Sequence, residues 1–573
     1  MLKKVNSIIS KYKGLLYILT LLFFIVAIFD LIGVSLLLNL LNLIMESETK
    51  SKFYTLISNT LNVTDKELII LIASSLLIIF SIIKNLFKYF TFKFQFNIIK
   101  NLHTHISSKI SWSYSNSDFY EFQKHNPQTL IKSSIDTINT LVTFIIIGGL
   151  NFISNLFIAT LLIGFLLYKD FLMTSGILMI ILVVNYIFLK LTKKSNEGLQ
   201  QERENIIGKM YDGVSNIIYN KAEIFSYKKK EFFNRTFKNQ VEKFNLNLYK
   251  HNIINSLPQL YSDFLLYFSA SIIIITLFTF TLTTSGSLEL LVLYAIVMIR
   301  IIPISAVIIS SYNNIRYHSD SINVIYNLLN IKKEKEYRFI DTSKNIIKIN
   351  DVNICYDDNE ILKNISLIIQ KNKKIAFTGA TGSGKTTLVK AIAGMKKPSN
   401  GKISLYSNEI AYVAQEPYFF DGTLLENIIF DDVNNFNEKK VNKILKQCLL
   451  FDFIEALPNK LDTNIGHRGS FLSGGQKQRL ALVRALYFNS DIIILDEVTS
   501  ALDNNSEYEI RQAIDNINDK TIIMIAHRLS SIKNFDNIVL LDKKKIEDNG
   551  NYNDLLLRSS LFKDLVDKAE IND

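Results

Sequence analysis

Two short segments of this 573-residue sequence place glycines and polar side chains at spacings that phosphate chemistry demands. The first is Gly379-Ala380-Thr381-Gly382-Ser383-Gly384-Lys385-Thr386. It follows the apolar run Ile375–Thr378 and precedes the helical pattern Leu388–Ala393. Glycines in such a strand-to-helix turn let backbone N–H groups wrap phosphate oxygens, and the helix N-terminus adds a favourable field. In that setting Lys385 reaches the terminal phosphates of a nucleotide such as ATP. Thr386 binds the accompanying Mg²⁺, and Thr387 completes the loop's contact with the nucleotide. The second segment is Ile492-Ile493-Ile494-Leu495-Asp496-Glu497, an apolar strand ending in two acids. Asp496 is placed to hold the Mg²⁺ shell, and Glu497 to orient and polarise an attacking water.

A strand–loop–helix motif needs a sheet to hold it. Six short β-rich runs alternate with helical patterns: Ile346–Ile354, Lys374–Phe377, Glu409–Val413, Ile492–Leu495, Ile522–Ile525 and Ile538–Leu541. That alternation predicts an α/β domain with a largely parallel sheet over residues 346–573. The charged stretch 331–345 reads as a linker.

Residues 1–330 differ. Apolar runs long enough to cross a bilayer, which takes about 20 residues, occur at Leu15–Ile44, Leu68–Phe90, Ile138–Leu167, Phe171–Leu191, Ile253–Phe280 and Leu288–Ile309. The fold class expected is therefore an all-α polytopic membrane domain of six helices followed by an α/β phosphate-loop NTPase domain. The net charge of +11 comes from lysines beside apolar runs, among them Lys3, Lys4, Lys11, Lys13, Lys193, Lys194 and Lys228–Lys230. This fits membrane topology and not a nucleic-acid groove. It puts both termini, and the two long connections after the second and fourth spans, in the cytosol. Those connections carry polar interruptions at residues 112–120 and 216–223, where helices that leave the membrane would turn and return. The only two cysteines, Cys355 and Cys448, have no metal-ligand spacing and suit a reducing compartment. The first span is expected to be retained and not cleaved as a signal peptide.

Further residues resemble the ATPase of ABC transporters. Leu472-Ser473-Gly474-Gly475-Gln476 looks like the ABC signature, and Ser500-Ala501-Leu502-Asp503 resembles the D-loop. Gln415 in Val413-Ala414-Gln415-Glu416 resembles the Q-loop, and His527 in Ile525-Ala526-His527-Arg528-Leu529 the switch histidine. Tyr356 stands where the family places an adenine-stacking aromatic. The resemblance implies that two ATPase domains meet head to tail, with each ATP between Lys385 of one chain and Ser473 with Gly475 of the other. It gives Glu497, His527 and Gln415 catalytic duties and makes Gln415 a link between metal, water and the membrane half. A homodimer would have two competent sites; a heterodimer is compatible but not required. Two positions depart from the family. The segment from Lys385 to Gln415 is short, so a trimmed β-rich subdomain is expected, and His467 stands where exporters usually carry an acid.

Six spans fused to a C-terminal ATPase resemble ABC exporters of the cytoplasmic (inner) membrane. Arg300-Ile301-Ile302-Pro303 with residues 310–321 is similar to the end of helix six in PglK-like lipid-linked oligosaccharide flippases, and Phe29-Asp30-Leu31-Ile32-Gly33-Val34-Ser35 is compatible with them. Lys84 and Arg300, ionisable residues inside spans, are candidate contacts for an anionic headgroup; an internal ion pair of Lys84 with Asp30 is the alternative. The favoured expectation is ATP-driven export or flipping of a lipid-linked oligosaccharide or glycolipid. Export of peptides of the bacteriocin or microcin type, or of hydrophobic drugs, is the second reading, and an ATP-gated channel or membrane-anchored regulator the third. No peptidase domain is expected before the first span. Pro258 and Pro303 are expected to kink or end the last two helices.

Overall fold

The computed structural model describes residues 2–45, 65–280, 286–333, 338–342, 345–356, 359–431, 436–499, 502–526 and 528–572, together with 55, 58 and 59. The chain divides into two compact units: Met1–Ser117 with Glu121–Lys333, and Asp118–Tyr120 with Glu334–Asp573.

The first unit is helical. Its long elements are α1 (Lys13–Met45), α2 (Lys66–Ser115), α3 (Pro127–Lys169, a continuous run of helical segments), α4 (Phe171–Tyr219), α5 (Lys230–Phe280) and α6 (Gly286–Tyr317). Each of the six expected spans lies on one of these helices. Among the described residues, four pass a length-and-hydropathy test for crossing a membrane: those within Ser10–Ile44, Lys66–Ser115, Pro127–Lys169 and Val292–Tyr317. The protein is a multi-pass membrane protein. Asp65 and Asp170 start α2 and α4 by accepting hydrogen bonds from the N–H groups of Glu67 and Met173, a standard N-cap arrangement.

The helices bury one face and leave another apolar face outward. Leu19, Phe23, Leu102, Ile106, Ile110, Ile138 and Leu141 pack together with Ile322 and Ile325 of a short following helix, Asp320–Leu329. Ala27, Val34, Leu162, Leu166, Tyr294 and Val297 form a second core. On α2, Leu71, Leu76, Ile79, Ile83 and Phe90 are exposed, as lipid-facing side chains must be. Two π-helical segments, Ser133–Thr137 and Leu141–Ile147, interrupt α3. The polar interruptions behave as read: α2 stops at Ser115 before a short helix Phe119–Gln123, and α4 stops at Tyr219 before Lys221–Ser226. Pro258 and Pro303 both sit inside continuous helices, so of the two expected outcomes, a kink or an end, neither proline ends its element. Inside a membrane, neighbouring helices can re-satisfy the backbone groups a proline frees.

The second unit carries two sheets. A six-stranded sheet has the order β10-β9-β4-β8-β7-β6, built from β4 (Lys374–Gly379), β6 (Ile410–Val413), β7 (Ile492–Asp496), β8 (Thr521–Ile525), β9 (Asn537–Asp542) and β10 (Lys545–Gly550). Every pairing is parallel except β9 with β10. Strands β7 and β8 are buried along their whole length, which explains their continuous isoleucine runs. A four-stranded sheet has the order β1-β5-β2-β3, with β1 (Phe339–Ile340), β2 (Ile346–Tyr356), β3 (Asn359–Gln370) and β5 (Asn400–Leu405). The short segment between Lys385 and Gln415 thus still supplies β5 and β6, and the β-rich subdomain keeps four strands. The stretch read as linker contains β1, which pairs with β5.

Candidate functional site

Strand β4 delivers the chain to the glycine-rich loop, and helix α7 (Lys385–Ile392) leaves it. The glycines are there by necessity. Gly379 has φ +137, and a Cβ on it would sit 2.0 Å from the Leu541 carbonyl oxygen. Gly384 caps α7 with φ +101, and its Cβ would lie 2.5 Å from Leu362 Cδ2. An L side chain fits neither position. Thr381 and Gly382 are exposed at the mouth of the loop, while Ser383 and Lys385 are buried. The Ser383 hydroxyl is buried without a hydrogen-bond partner, so the loop holds an orphaned donor where phosphate oxygens would supply acceptors. The Lys385 ammonium donates to the carbonyls of Gly379 at 2.9 Å and Ala380 at 3.0 Å. Burial lowers its pKa, and the nearby Glu497 charge opposes that shift. Thr386 and Thr387 form the first turn of α7, both half-buried.

The two acids stand at the end of β7, as expected. Tyr412 of the neighbouring β6 donates its hydroxyl to the Asp496 carboxylate. Burial, and then that hydrogen bond, push the Tyr412 phenol well above its ordinary pKa. Glu497 adopts φ +52, turning away from the strand, and accepts a hydrogen bond from Gln415 Nε2 at 3.1 Å. Gln415 in turn accepts at its carbonyl from Gln478 Nε2 at 2.5 Å. Gln478 lies on α8 (Gly474–Tyr487), so hydrogen bonds join Glu497, through Gln415, to the signature helix. A cavity of about 340 Å³ lies alongside, lined by Gln415, Arg468, Gly474, Lys477, Gln478 and Glu497 among others.

Ser473 opens α8 with a capping box: its hydroxyl accepts from the Gln476 N–H at 3.2 Å, and the Gln476 side chain accepts from the Ser473 N–H at 2.9 Å. Ser473 and Gly474 are exposed, so this helix start is open to a ligand. A Cβ on Gly475 would meet Ser506 at 2.6 Å. Asp503 caps α9 (Asn504–Asp515) by accepting from the Ser506 N–H, and its hydrogen bonds to Ser506 hold its carboxyl below the usual range. Tyr356 is the last residue of β2. His467 is exposed in a tight turn whose next residue, Arg468, has φ +54. His527, Ser500 and Ala501 lie outside the described residues.

In the helical unit, Lys84 and Arg300 both converge on Asp30. Lys84 Nζ is 2.8 Å and Arg300 Nη1 3.4 Å from the same carboxylate oxygen, Asp30 Oδ1. The side chains of Lys84 and Asp30 are 15% and 10% exposed, and that of Arg300 is 45% exposed. The internal ion pair is therefore present, and Arg300 adds to it.

The ABC transporter family profile matches residues 362–500. An ATP-dependent lipid A-core flippase of Francisella novicida is 34% identical over 253 residues, 42% of this chain and 43% of that protein. Its counterpart in Aliivibrio fischeri is 35% identical over 258 residues, covering 42% and 44%. The ABC transporter B family member 13 of Arabidopsis thaliana is 38% identical over 225 residues, 37% of this chain and 18% of that protein. The chain thus matches less than half the length of these relatives. A solved bacterial Atm1-family ABC exporter with ATP bound superposes with a TM-score of 0.78 at 19% identity, over 98% of this chain and 99% of that one. The chain has the ABC exporter fold and carries an ABC transporter ATPase domain.

Within that ATPase domain the residues present fit Mg²⁺. Thr386, Asp496 and Gln415 offer hydroxyl, carboxylate and amide oxygens, the hard donors Mg²⁺ takes when it also binds nucleotide phosphates. When bound, the ion would neutralise charge on those phosphates. Two members of the site were missed in the sequence. Tyr412 lies in a run read only as a strand, and Gln478 stands outside every motif read from the sequence. Their partners, Asp496 and Gln415, are far away in sequence, so no local pattern announced them.

Proposed function

We propose that two copies of this chain form an ATP-hydrolysing exporter of the inner membrane that moves an anionic amphiphile, a lipid-linked oligosaccharide or glycolipid. The hydrogen bond between Gln415 and Glu497 supports the hydrolytic half of this reading. Glu497 acts as the base that polarises water, Gln415 senses both that water and the metal, and Lys385 with Ser383 and the loop amides holds the phosphates. The exposed signature start at Ser473 and Gly474 suits the phosphates of a nucleotide held by the second copy. Two identical chains then suffice, because each supplies every motif once.

The cargo reading rests on the Asp30, Lys84 and Arg300 cluster. One carboxylate shared by two cations leaves one net positive charge in this cluster. A headgroup phosphate would meet that charge, and charge-assisted hydrogen bonds would offset its desolvation. The names of the Francisella and Aliivibrio relatives point the same way.

Glu497→Gln tests the hydrolytic role. It should lower kcat by about 100- to 10,000-fold, the usual contribution of a general base, while ATP binding persists. Turnover within tenfold of the original would overturn the assignment. For cargo, the protein reconstituted in vesicles is assayed for ATPase stimulation by polyprenyl-pyrophosphate glycans, by phosphorylated glycolipids and by amphipathic peptides. Stimulation by peptides alone would replace the lipid reading with peptide export.

A further inference from the structure

Tyr356 ends β2, paired with Asn359 at the start of β3, and is half-buried. In this chain the ring is held. The Lys396 ammonium sits over it, 4.1 Å from the ring centroid, and also over Tyr120, 3.7 Å from that centroid. The two tyrosine rings are 5.6 Å apart at 61°, so the ammonium occupies the angle between them. Lys396 is only 7% exposed. A desolvated ammonium over an aromatic face is the geometry in which cation–π attraction is strongest. Tyr120 comes from far earlier in the chain but belongs to the same compact unit, through the segment Asp118–Tyr120. Lys396 follows α7, the helix that begins with the phosphate-loop lysine.

An aromatic ring has two faces. With the ammonium on one, the opposite face of Tyr356 is the one left to stack on a base. Lys396 is also tied, through the short run from α7, to the phosphate cradle. A base platform held in this way would keep its place relative to the phosphate loop, as a nucleotide gripped at both ends requires.

We propose that Lys396 and Tyr120 are positioning residues of the nucleotide site, clamping Tyr356 so that its outer face stacks on the purine base. This rests on reading Tyr356 as the base-stacking aromatic. Neither Lys396 nor Tyr120 touches the reacting phosphate; both act through Tyr356.

The test uses the full-length protein in lipid nanodiscs. ATPase KM and kcat are measured for Tyr356→Leu, Lys396→Met, Lys396→Arg, Tyr120→Leu and Tyr120→Phe. Inorganic tripolyphosphate, which has phosphates but no base, serves as a competing inhibitor. Lys396→Met and Tyr120→Leu should each raise KM for ATP about tenfold, the scale of a buried cation–π contact. Each should keep kcat within about twofold, because only binding common to ground and transition state is removed. The double variant should be no worse than either single one, since both remove the same clamp. Lys396→Arg and Tyr120→Phe should hold KM near the original, because the cation and the ring persist. The inhibition constant of tripolyphosphate should not change in any of them. Tripolyphosphate weakened as much as ATP in Lys396→Met would mean the residue serves the phosphate loop or the fold, and would overturn the proposal. An unchanged KM in Tyr356→Leu would sink the base reading itself. A raised KM there with an unchanged one in Lys396→Met would sink the clamp alone.

Discussion

Replacing Asp30 by Asn removes the carboxylate that both membrane cations share. Lys84 is 2.8 Å from it and largely enclosed, with a side chain 15% exposed. Breaking a buried ion pair by removing one partner costs about 3–5 kcal/mol, because the other charge is left uncompensated. Arg300, 45% exposed, is less enclosed than Lys84 and contributes less to that penalty. The lower figure, about 3 kcal/mol, is therefore the expected loss. For a unit of more than 300 residues this lowers Tm by about 4 °C. The assay is the temperature at which half the detergent-solubilised protein leaves its gel-filtration peak. The same substitution frees Lys84 from its internal counter-ion. The concentration of anionic glycolipid that half-maximally stimulates ATPase should then fall, while stability also falls. A second variant, Asp30→Leu with Lys84→Met, replaces the pair by apolar groups of similar size. It should recover the stability, as buried pairs commonly do when replaced together, but lose most of the stimulation. Asp30→Asn with unchanged Tm refutes the buried-pair argument. A double variant that keeps full glycolipid stimulation refutes the headgroup role of Lys84.

Two further outcomes follow from the ATPase unit. Tyr412→Phe deletes the hydrogen bond to Asp496 and should raise the Mg²⁺ concentration needed for half-maximal ATPase about tenfold, as loss of a partner that orients a metal ligand does; titration of activity against Mg²⁺ reads it directly. The Cys448 thiol is fully buried, and burial pushes its pKa up to about 12 from an ordinary 9.0. Its neutral form is the one the fold favours, so the stability this provides is complete below pH 9 and is lost as pH rises from there toward 12. At pH 8, alkylation of the native protein should label Cys355, which is half-buried, while Cys448 reacts only after unfolding; mass spectrometry of labelled peptides decides it.

The chemistry was legible wherever its residues are contiguous. The phosphate loop, the paired acids and the signature are each single runs, and the six strands foreseen from apolar runs all formed. Strands β3 and β5 were not foreseen, although β3 alternates buried and exposed residues along Ile365–Gln370; other misses depend on distance or on polar composition. Strand β10, Lys-Ile-Glu-Asp-Asn-Gly, has no apolar alternation and forms because it lies at the edge of the sheet beside β9. Strand β1 is two residues long and exists only through its pairing with β5. Tyr412 and Gln478 became part of the site because parallel pairing brings β6 beside β7 and because α8 passes the end of β6. Pro303, expected to kink or end its helix, does not end it, since α6 runs through it.

The charge count at Asp30 bears on two readings of the cluster, an internal ion pair and the proposed headgroup contact. An ion pair kept only to satisfy a necessary aspartate would need one cation, and Lys84 at 2.8 Å supplies it. Arg300 is then surplus to structure. Its longer distance of 3.4 Å and its greater exposure say that Asp30 orients it more than it neutralises it. A guanidinium inside a spanning helix is costly, and Asp30 already has its partner. On the proposed reading an external anion would engage Arg300, whose planar fork of donors matches a phosphate better than a lysine would. Arg300→Lys should therefore preserve stability but weaken glycolipid stimulation of the ATPase, whereas a purely structural arginine would show the opposite pattern.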